Sequence, residues 1–91
     1  MIEEQPTNLE ALTQWAAYIY TAMAHARYER IDDGQTVYAE IPGFAGLWAI
    51  GPTFAECRAE LMSALEDWID ELVDSGLPLP QLPGVAVPVA A

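Results

Sequence analysis

The sequence has no lysine, and its only basic residues are Arg27, Arg30 and Arg58. Against them stand 14 acidic residues, which give a formal net charge of −11 at pH 7. Binding to DNA or RNA depends on a basic surface that displaces counterions from phosphates, and three arginines do not supply one. The same repulsion disfavours an anionic membrane surface. We therefore expect no direct contact with nucleic acid and no membrane association.

Cysteine and long apolar runs are also scarce. The single cysteine, Cys57, has no partner for an internal disulfide, which is typical of a reducing compartment. No apolar run approaches the roughly 20 residues of a membrane span. The acidic start of the chain, MIEEQPTNLE, lacks the basic region of a signal peptide. These features predict a cytoplasmic protein.

The residues of common catalytic sites are few and poorly placed. His25 is the only histidine, and no serine, cysteine or carboxylate stands at a suggestive spacing from it. Glu29 and Glu40 can share one face of a sheet, but Arg27 is expected between them, which disfavours a divalent metal site. Cys57 lies on an apolar helix stripe, where a small core residue is expected. We expect no enzymatic activity, no metal and no cofactor.

Apolar residues, in contrast, are abundant. They make up 53% of the 91 residues, and a chain of this length buries only about 60 to 65% of its unfolded surface. We predict a single domain over residues 1–91, with a helix in 1–25, a core in 26–76 and a proline-rich tail in 77–91. Apolar surface left uncovered in one copy predicts at least a symmetric dimer.

The start of the chain predicts a helix over about residues 8–24. Thr7-Asn8-Leu9-Glu10 fits a capping box, in which a hydroxyl caps the helix and a carboxylate follows three residues later. Two apolar stripes at helical spacing predict that the helix is covered on both faces. The first stripe is Leu9, Leu12, Ala16, Ile19 and Met23, and the second is Trp15, Tyr18 and Ala22.

A β-hairpin follows the helix. Asp33-Gly34 is a strong signal for a type I′ turn, because both residues tolerate positive φ angles. That turn sets Arg30 opposite Val37, Tyr28 opposite Ala39 and Arg27 opposite Glu40, the last as a surface ion pair. The register assigns one face to the core and the other to solvent. The core face carries Ala26, Tyr28, Val37, Ala39 and Ile41, and the other carries Arg27, Glu29, Tyr38 and Glu40.

A short third strand and a long helix complete the core. Pro42-Gly43 ends the second strand, and GLWAIG returns with Trp48 and Ile50 on one face and with Leu47 and Ala49 on the other. Thr53-Phe54-Ala55-Glu56 is a second capping box, and the helix it begins runs to about residue 75. Its main apolar stripe is Phe54, Cys57, Leu61, Ala64, Leu65, Trp68 and Leu72, widened by Met62, Ile69 and Val73.

The last segment, LPLPQLPGVAVPVAA, contains Pro80 and Pro83 at the spacing of a PxxP element. Two interpretations are open. One is an extended tail, with residues 85–87 as an added edge strand. The other is a ligand for a proline-binding domain.

The second helix also carries like charges four residues apart, which destabilise a helix by roughly 0.2 to 0.5 kcal/mol per pair. Acids also crowd its carboxyl end, where the helix dipole favours cations. Two interpretations remain open: charge that keeps an apolar protein in solution, or a surface for a basic partner. The pairs are Glu56 with Glu60, Glu66 with Asp70, Asp67 with Glu71, and Asp70 with Asp74.

The order of these turns and caps, over about residues 26–80, resembles the HicB-like antitoxin domain. The shared pattern is a strand that ends in a Pro-Gly turn, a third strand, and then Gly-x-Thr and a glutamate-bearing helix. The matching positions are Ile41, Pro42, Gly46, Gly51, Thr53, Glu56, Ala64 and Trp68.

The resemblance implies a truncated ribonuclease-H-like fold without nuclease activity and a small basic HicA-like ribonuclease toxin as partner. The chain departs from the pattern at three points. Leu47 stands where many members have cysteine, the first helix is an addition, and no helix-turn-helix or ribbon-helix-helix segment for operator DNA is expected before Ala91.

We therefore predict an α+β fold, in which a small antiparallel sheet of three to four strands is packed by one long helix, with an added N-terminal helix. The predicted function is that of an antitoxin-like binding module. The alternative is an orphan structural protein that assembles only with itself. The candidate partner-binding residues are Phe44, Trp48, Ile50, Asp67, Asp70, Glu71 and Asp74.

Overall fold

The computed structural model describes the backbone of residues 6–88 and the side chains of residues 12–88. Its elements confirm the predicted α+β class, and within the described backbone the sheet has three strands. In chain order the elements are α1 (Pro6–Ala24), β1 (Arg27–Ile31), β2 (Thr36–Glu40), β3 (Trp48–Gly51) and α2 (Phe54–Asp74). Neither helix, over the residues described, has the length and apolar character that crossing a membrane requires.

The hairpin of β1 and β2 forms in the predicted register. Arg30 pairs with Val37, Tyr28 with Ala39 and Arg27 with Glu40. The turn depends on left-handed backbone at three successive residues, Asp32 (φ 54°), Asp33 (φ 56°) and Gly34 (φ 86°); the last two are the positions that the predicted type I′ turn requires. The Gln35 amide closes it by donating to the Asp32 carbonyl at 3.1 Å. The turn residues therefore set which side chains face the core.

Two tight turns join β2 to β3. The amide of Phe44 donates to the carbonyl of Ile41, and the amide of Leu47 donates to the carbonyl of Phe44. Gly43 and Gly46 make these turns possible, because each has a positive φ that a side chain would strain. The result is a corner that returns the chain antiparallel to β2, with Glu40 opposite Trp48.

Thr53 caps α2 as predicted, although the Glu56 carboxylate accepts from the Thr53 hydroxyl rather than from its amide. Thr53 is extended, and its hydroxyl oxygen accepts from the Glu56 amide at 3.1 Å while the hydroxyl donates to the Glu56 carboxylate at 3.2 Å. The helix ends at Asp74, and Gly76 follows with φ 71°. The face toward the sheet buries Cys57, Leu61, Leu65 and Ile69.

The predicted stripe of α2 was wrong at its first residue. Phe54 is 47% exposed and lies at the edge of the core, where its ring meets the Tyr28 ring edge-on at 5.8 Å. The guanidinium of Arg30 lies over the Phe54 ring, 4.8 Å from its centroid. Phe54 is the first residue of the helix, so only the margin of the sheet lies beside it. Ile69, predicted only to widen the stripe, belongs to the buried face.

Gly51 determines how close α2 lies to the sheet. A Cβ atom at Gly51 would lie 2.7 Å from the amide nitrogen of Cys57 and 3.0 Å from its Cα. Real Cβ atoms do not approach backbone so closely, so any side chain here would force α2 and β3 apart. Glycine at this position lets the first turn of α2 lie directly under the end of β3.

The two stripes predicted for α1 have unequal roles. Of the second stripe, Tyr18 and Ala22 are fully buried; of the first, Met23 is 6% exposed but Leu12 is 68% exposed. The prediction that the helix is covered on both faces therefore holds near its carboxyl end and is wrong at Leu12. α1 begins at Pro6, so Thr7 lies inside the helix rather than at its cap. The side chains of Thr7, Leu9 and Glu10 lie outside the described residues.

The tail packs against the core but adds no strand within the described residues. Leu82 and Val85 form an isolated bridge around a turn, and residues 85–87 pair with no strand of the sheet. Leu79, Leu82, Val85 and Val87 pack against the core. The hydroxyl of Tyr18 donates to the carbonyl of Pro80 at 2.6 Å, which connects the tail to α1.

The bond between Tyr18 and Pro80 gives a prediction for stability. We expect Tyr18→Phe to lower the free energy of unfolding at neutral pH by about 1 kcal/mol, because the Pro80 carbonyl loses its donor. Burial raises the pKa of Tyr18 from 10.0 to about 12. The raised pKa adds stability that is complete below pH 10 and is lost as the pH approaches 12. Denaturant titrations over that range should show the difference between wild type and Tyr18→Phe narrowing.

Tyr20 provides the matched control, because it lies on the same helix and is 74% exposed. Tyr20→Phe should unfold like wild type at every pH. Parallel curves for wild type and Tyr18→Phe through the alkaline range would contradict the assignment of the raised pKa to Tyr18.

Candidate functional site

The side chains that could take part in catalysis do not lie together in one site. Among the described side chains, no group of three or more His, Cys, Asp or Glu residues could hold a metal ion. His25 is exposed at the end of α1, where its Nδ1 lies 2.9 Å from the carbonyl of Thr21. Cys57 is fully buried, and burial raises the pKa of its thiol. The candidate binding residues lie instead on the surface of the sheet and of α2.

The sheet has one covered face and one open face. Leu47 and Ala49 point toward α2 and are 5% and 6% exposed, whereas Trp48 and Ile50 are 55% and 47% exposed. This is the alternation predicted for GLWAIG. Among the described residues, no helix packs on the side of Trp48 and Ile50.

Tyr38 joins these two residues on the open face. Its ring stacks on that of Trp48, with centroids 6.3 Å apart and planes 18° from parallel. Its cross-strand partner is Ile50. We call Tyr38, Trp48 and Ile50 the open-face patch. Tyr38 was absent from the candidate site residues, and the signal for it was available: the hairpin register already placed it on this face.

A carboxylate borders the open-face patch. The Tyr38 hydroxyl donates to the Glu40 carboxylate at 3.0 Å, and this bond raises the pKa of the Tyr38 phenol. Glu40 is also the cross-strand partner of Trp48. A depression of about 300 Å³ lies beside them, against the turns that follow β2. The open face thus combines an aromatic surface with a fixed negative charge.

Phe44 does not belong to this site. It is 3% exposed, and its ring lies 5.0 Å from that of Trp68 and 6.3 Å from that of Tyr18. The Trp68 indole also holds the adjacent turn, because its Nε1 donates to the carbonyl of Ala45 at 3.1 Å. Phe44 therefore anchors the corner between β2 and β3, and we correct its candidate role from partner contact to core packing.

The orientation of α2 follows from its first turns. Cys57 lies under β3, with its thiol 3.7 Å from the Ala49 carbonyl. Arg58 and Ala55 face the other way along the sheet, into a groove of about 460 Å³ that Tyr28 of β1 and the end of α1 also line. Because successive helical residues turn by about 100°, the flank of α2 opposite Arg58 and Ala55 faces outward past β3.

That outward flank is acidic. Spacings of four, seven, four and three residues keep five acids on it, and all five are exposed. No basic residue occupies the last turn of the helix. We call these residues the acidic stripe: Glu56, Glu60, Asp67, Glu71 and Asp74.

The structure thus relates the two groups of predicted site residues. Asp67, Glu71 and Asp74 belong to the acidic stripe, and Asp70 is exposed beside it on the solvent side of α2. Trp48 and Ile50 lie on the open face of β3, whose other face covers α2. The outer edge of β3 therefore runs between the open-face patch and the acidic stripe.

A sequence-family profile and a solved structure are each similar to this chain over most of its length. The sequence profile of the UPF0150-like family matches residues 17–80. The crystal structure of TTHA0281 from Thermus thermophilus is similar at 41% identity and a TM-score of 0.78, over 86% of this chain and 96% of that one. A search of curated proteins gives no match. Since the profile covers most of its length, the chain belongs to the UPF0150-like family.

Proposed function

We propose that this chain is a non-catalytic binding module of the HicB-like type, located in the cytoplasm, which binds and neutralises a small basic HicA-like ribonuclease. The observation that carries the proposal is the acidic stripe of α2. Its acids are exposed, and within the described chain no basic side chain of the last helical turn balances them. Such a surface attracts a basic protein and accelerates its capture.

The acids near the carboxyl end of α2 lower the local stability of the helix. Asp67 with Glu71 and Asp70 with Asp74 are like-charged neighbours four residues apart, and both pairs lie near the carboxyl end of the helix dipole. A sequence under selection for stability alone would place lysine or arginine there. The conflict between helix stability and charge supports a role in binding.

A second candidate is an orphan protein that assembles only with itself. Exposed apolar side chains favour it: Leu12 and Tyr20 on α1 are 68% and 74% exposed, in addition to the open-face patch. An isolated copy leaves these side chains in water, and a second copy would cover part of them. Copurification of a basic protein of toxin size from native cells would favour the first candidate over this one.

The acids of α2 give the prediction that separates binding from solubility. Neutralising the four acids Asp67, Asp70, Glu71 and Asp74 together removes three like-charged pairs of α2. The free protein should therefore gain about 1 kcal/mol of stability. The same variant should capture a HicA-like ribonuclease more slowly in low salt, and the difference should shrink near physiological salt, where the Debye length is about 8 Å. Thermal melting and stopped-flow association measure the two effects. The changes are Asp67→Asn, Asp70→Asn, Glu71→Gln and Asp74→Asn.

A control variant removes acids from β1 and its hairpin turn, at the edge of the sheet opposite β3. Glu29→Gln, Asp32→Asn and Asp33→Asn change exposed residues of β1 and its hairpin turn. This variant should associate nearly as fast as wild type, since long-range attraction is concentrated near the stripe. Equal association rates for the α2 variant and wild type in low salt would leave solubility as the role of these acids.

The proposed lack of catalysis predicts that the purified chain does not cleave RNA with or without divalent metal. Glu29 and Glu40 are the carboxylates that a strand-borne metal site would use, and their cross-strand partners are Tyr38 and Arg27. A fluorescent RNA duplex incubated with Mg²⁺ or Mn²⁺ provides the assay. Metal-dependent cleavage that disappears in Glu29→Gln or Glu40→Gln would overturn the proposal and make this chain an enzyme.

Self-association is predicted for both candidates. Light scattering at micromolar concentration should give a mass of at least a dimer, because α1 and the open face leave large apolar side chains exposed in a single copy. Leu12→Lys should weaken the assembly if α1 contributes to it, and Ser63→Lys on α2 serves as the charge control. A monomer at these concentrations would exclude the orphan assembly.

A further inference from the structure

The outer edge of β3 has no strand partner within the described chain. The sheet order is β1-β2-β3, so β2 bonds only one edge of β3. In an antiparallel strand, alternate residues direct their N–H and C=O groups to the opposite edge. The contact found there is a weak one, from the Cys57 thiol to the Ala49 carbonyl at 3.7 Å. Within the described chain this edge therefore has no strand to pair with, and its backbone is partly covered at Ala49, which is 6% exposed.

Proteins commonly protect such an edge with charge, proline or a bulge. The other edge strand, β1, has this protection, because three of its five residues are charged: Arg27, Glu29 and Arg30. β3 reads WAIG and has neither a charged residue nor a proline. Of the two edges, β3 is the one left open to strand addition.

The charges around β3 determine what can add to it. Helical spacing places the acidic stripe on the flank of α2 opposite the groove that Arg58 and Tyr28 line, which is the flank toward this edge, and Glu40 is the cross-strand partner of Trp48 on the open side. A second copy of this chain would bring two acidic stripes together, which is unfavourable at a net charge of −11. A basic segment meets opposite charge on the covered side.

We propose that the outer edge of β3 binds an extended, basic segment of a partner protein by strand addition. In such a complex the backbone bonds give affinity, and alternate side chains reach opposite faces of the sheet. Apolar side chains of the segment pack on Trp48 and Ile50, and arginine or lysine side chains on the other face reach the acidic stripe. The inference rests on the proposed binding of a basic partner and specifies its mode.

The probe is an eight-residue peptide of alternating arginine and valine with blocked ends, titrated into the full-length protein and followed by amide NMR. Amides of β3, residues 48–51, should shift most, and those of β1 should stay unchanged. A second peptide has the same sequence with alternate amides N-methylated. It keeps every charge but cannot pair along a strand, so it should bind about tenfold more weakly or worse.

Two triple variants test the charge requirement. Removing stripe acids in Glu60→Gln, Asp67→Asn and Glu71→Gln should weaken binding of the unmethylated peptide about tenfold in low salt. The matched control, Glu29→Gln with Asp32→Asn and Asp33→Asn, should change affinity less than about twofold. Trp48→Ala should weaken binding several-fold, and its unchanged circular dichroism would show that the fold persists.

Four outcomes would overturn the inference. These are no binding of the peptide to wild type, equal binding of the N-methylated peptide, shifts centred on β1, or equal losses in the two triple variants. Capture of a HicA-like ribonuclease is measured separately. Capture without peptide binding would leave the proposed function standing and reject strand addition, whereas peptide binding without capture would do the reverse.

Discussion

The closeness of Gly51 to the backbone of Cys57 is the contact on which the surface arrangement depends. No side chain fits between them, because a Cβ atom at Gly51 would lie 2.7 Å from the Cys57 nitrogen. The first turn of α2 is thereby held under the end of β3. The flank with Arg58 then faces β1 and the end of α1, and the acidic stripe faces past β3. A side chain at Gly51 would displace this first turn from the end of β3.

The hairpin and α2 could be predicted from the sequence because their determinants are local. Asp33-Gly34 fixes a two-residue turn, and a two-residue turn fixes every cross-strand pair of β1 and β2. Thr53 and Glu56 likewise fix the start of α2. The exposure of Trp48 and Ile50 follows from simple alternation. The acidic residues could also be identified from the sequence. That they lie on one flank of α2, beyond β3, could be inferred only once the position of α2 on the sheet was known.

The residues that were misplaced depend on contacts between distant parts of the chain. Phe44 stands among glycine and proline residues and resembles an exposed loop aromatic, yet Tyr18 and Trp68 enclose it. Phe54 has the spacing of a core residue but lies at the sheet edge, beneath Arg30. Leu12 and Met23 belong to one apolar stripe of α1, yet Leu12 is exposed and Met23 is buried, because packing against the rest of the chain covers only part of that stripe. Periodicity shows which faces of a helix are apolar. Contacts with distant parts of the chain decide which of these faces is buried.

Amide hydrogen exchange can show whether a basic partner binds at the outer edge of β3. The full-length chain would be followed by mass spectrometry alone and with a HicA-like ribonuclease. The outer amides of β3, which exchange quickly in the free chain, should slow on binding, and β1 should keep its free-state exchange. Protection of β1 or α1 with β3 unchanged would contradict the account.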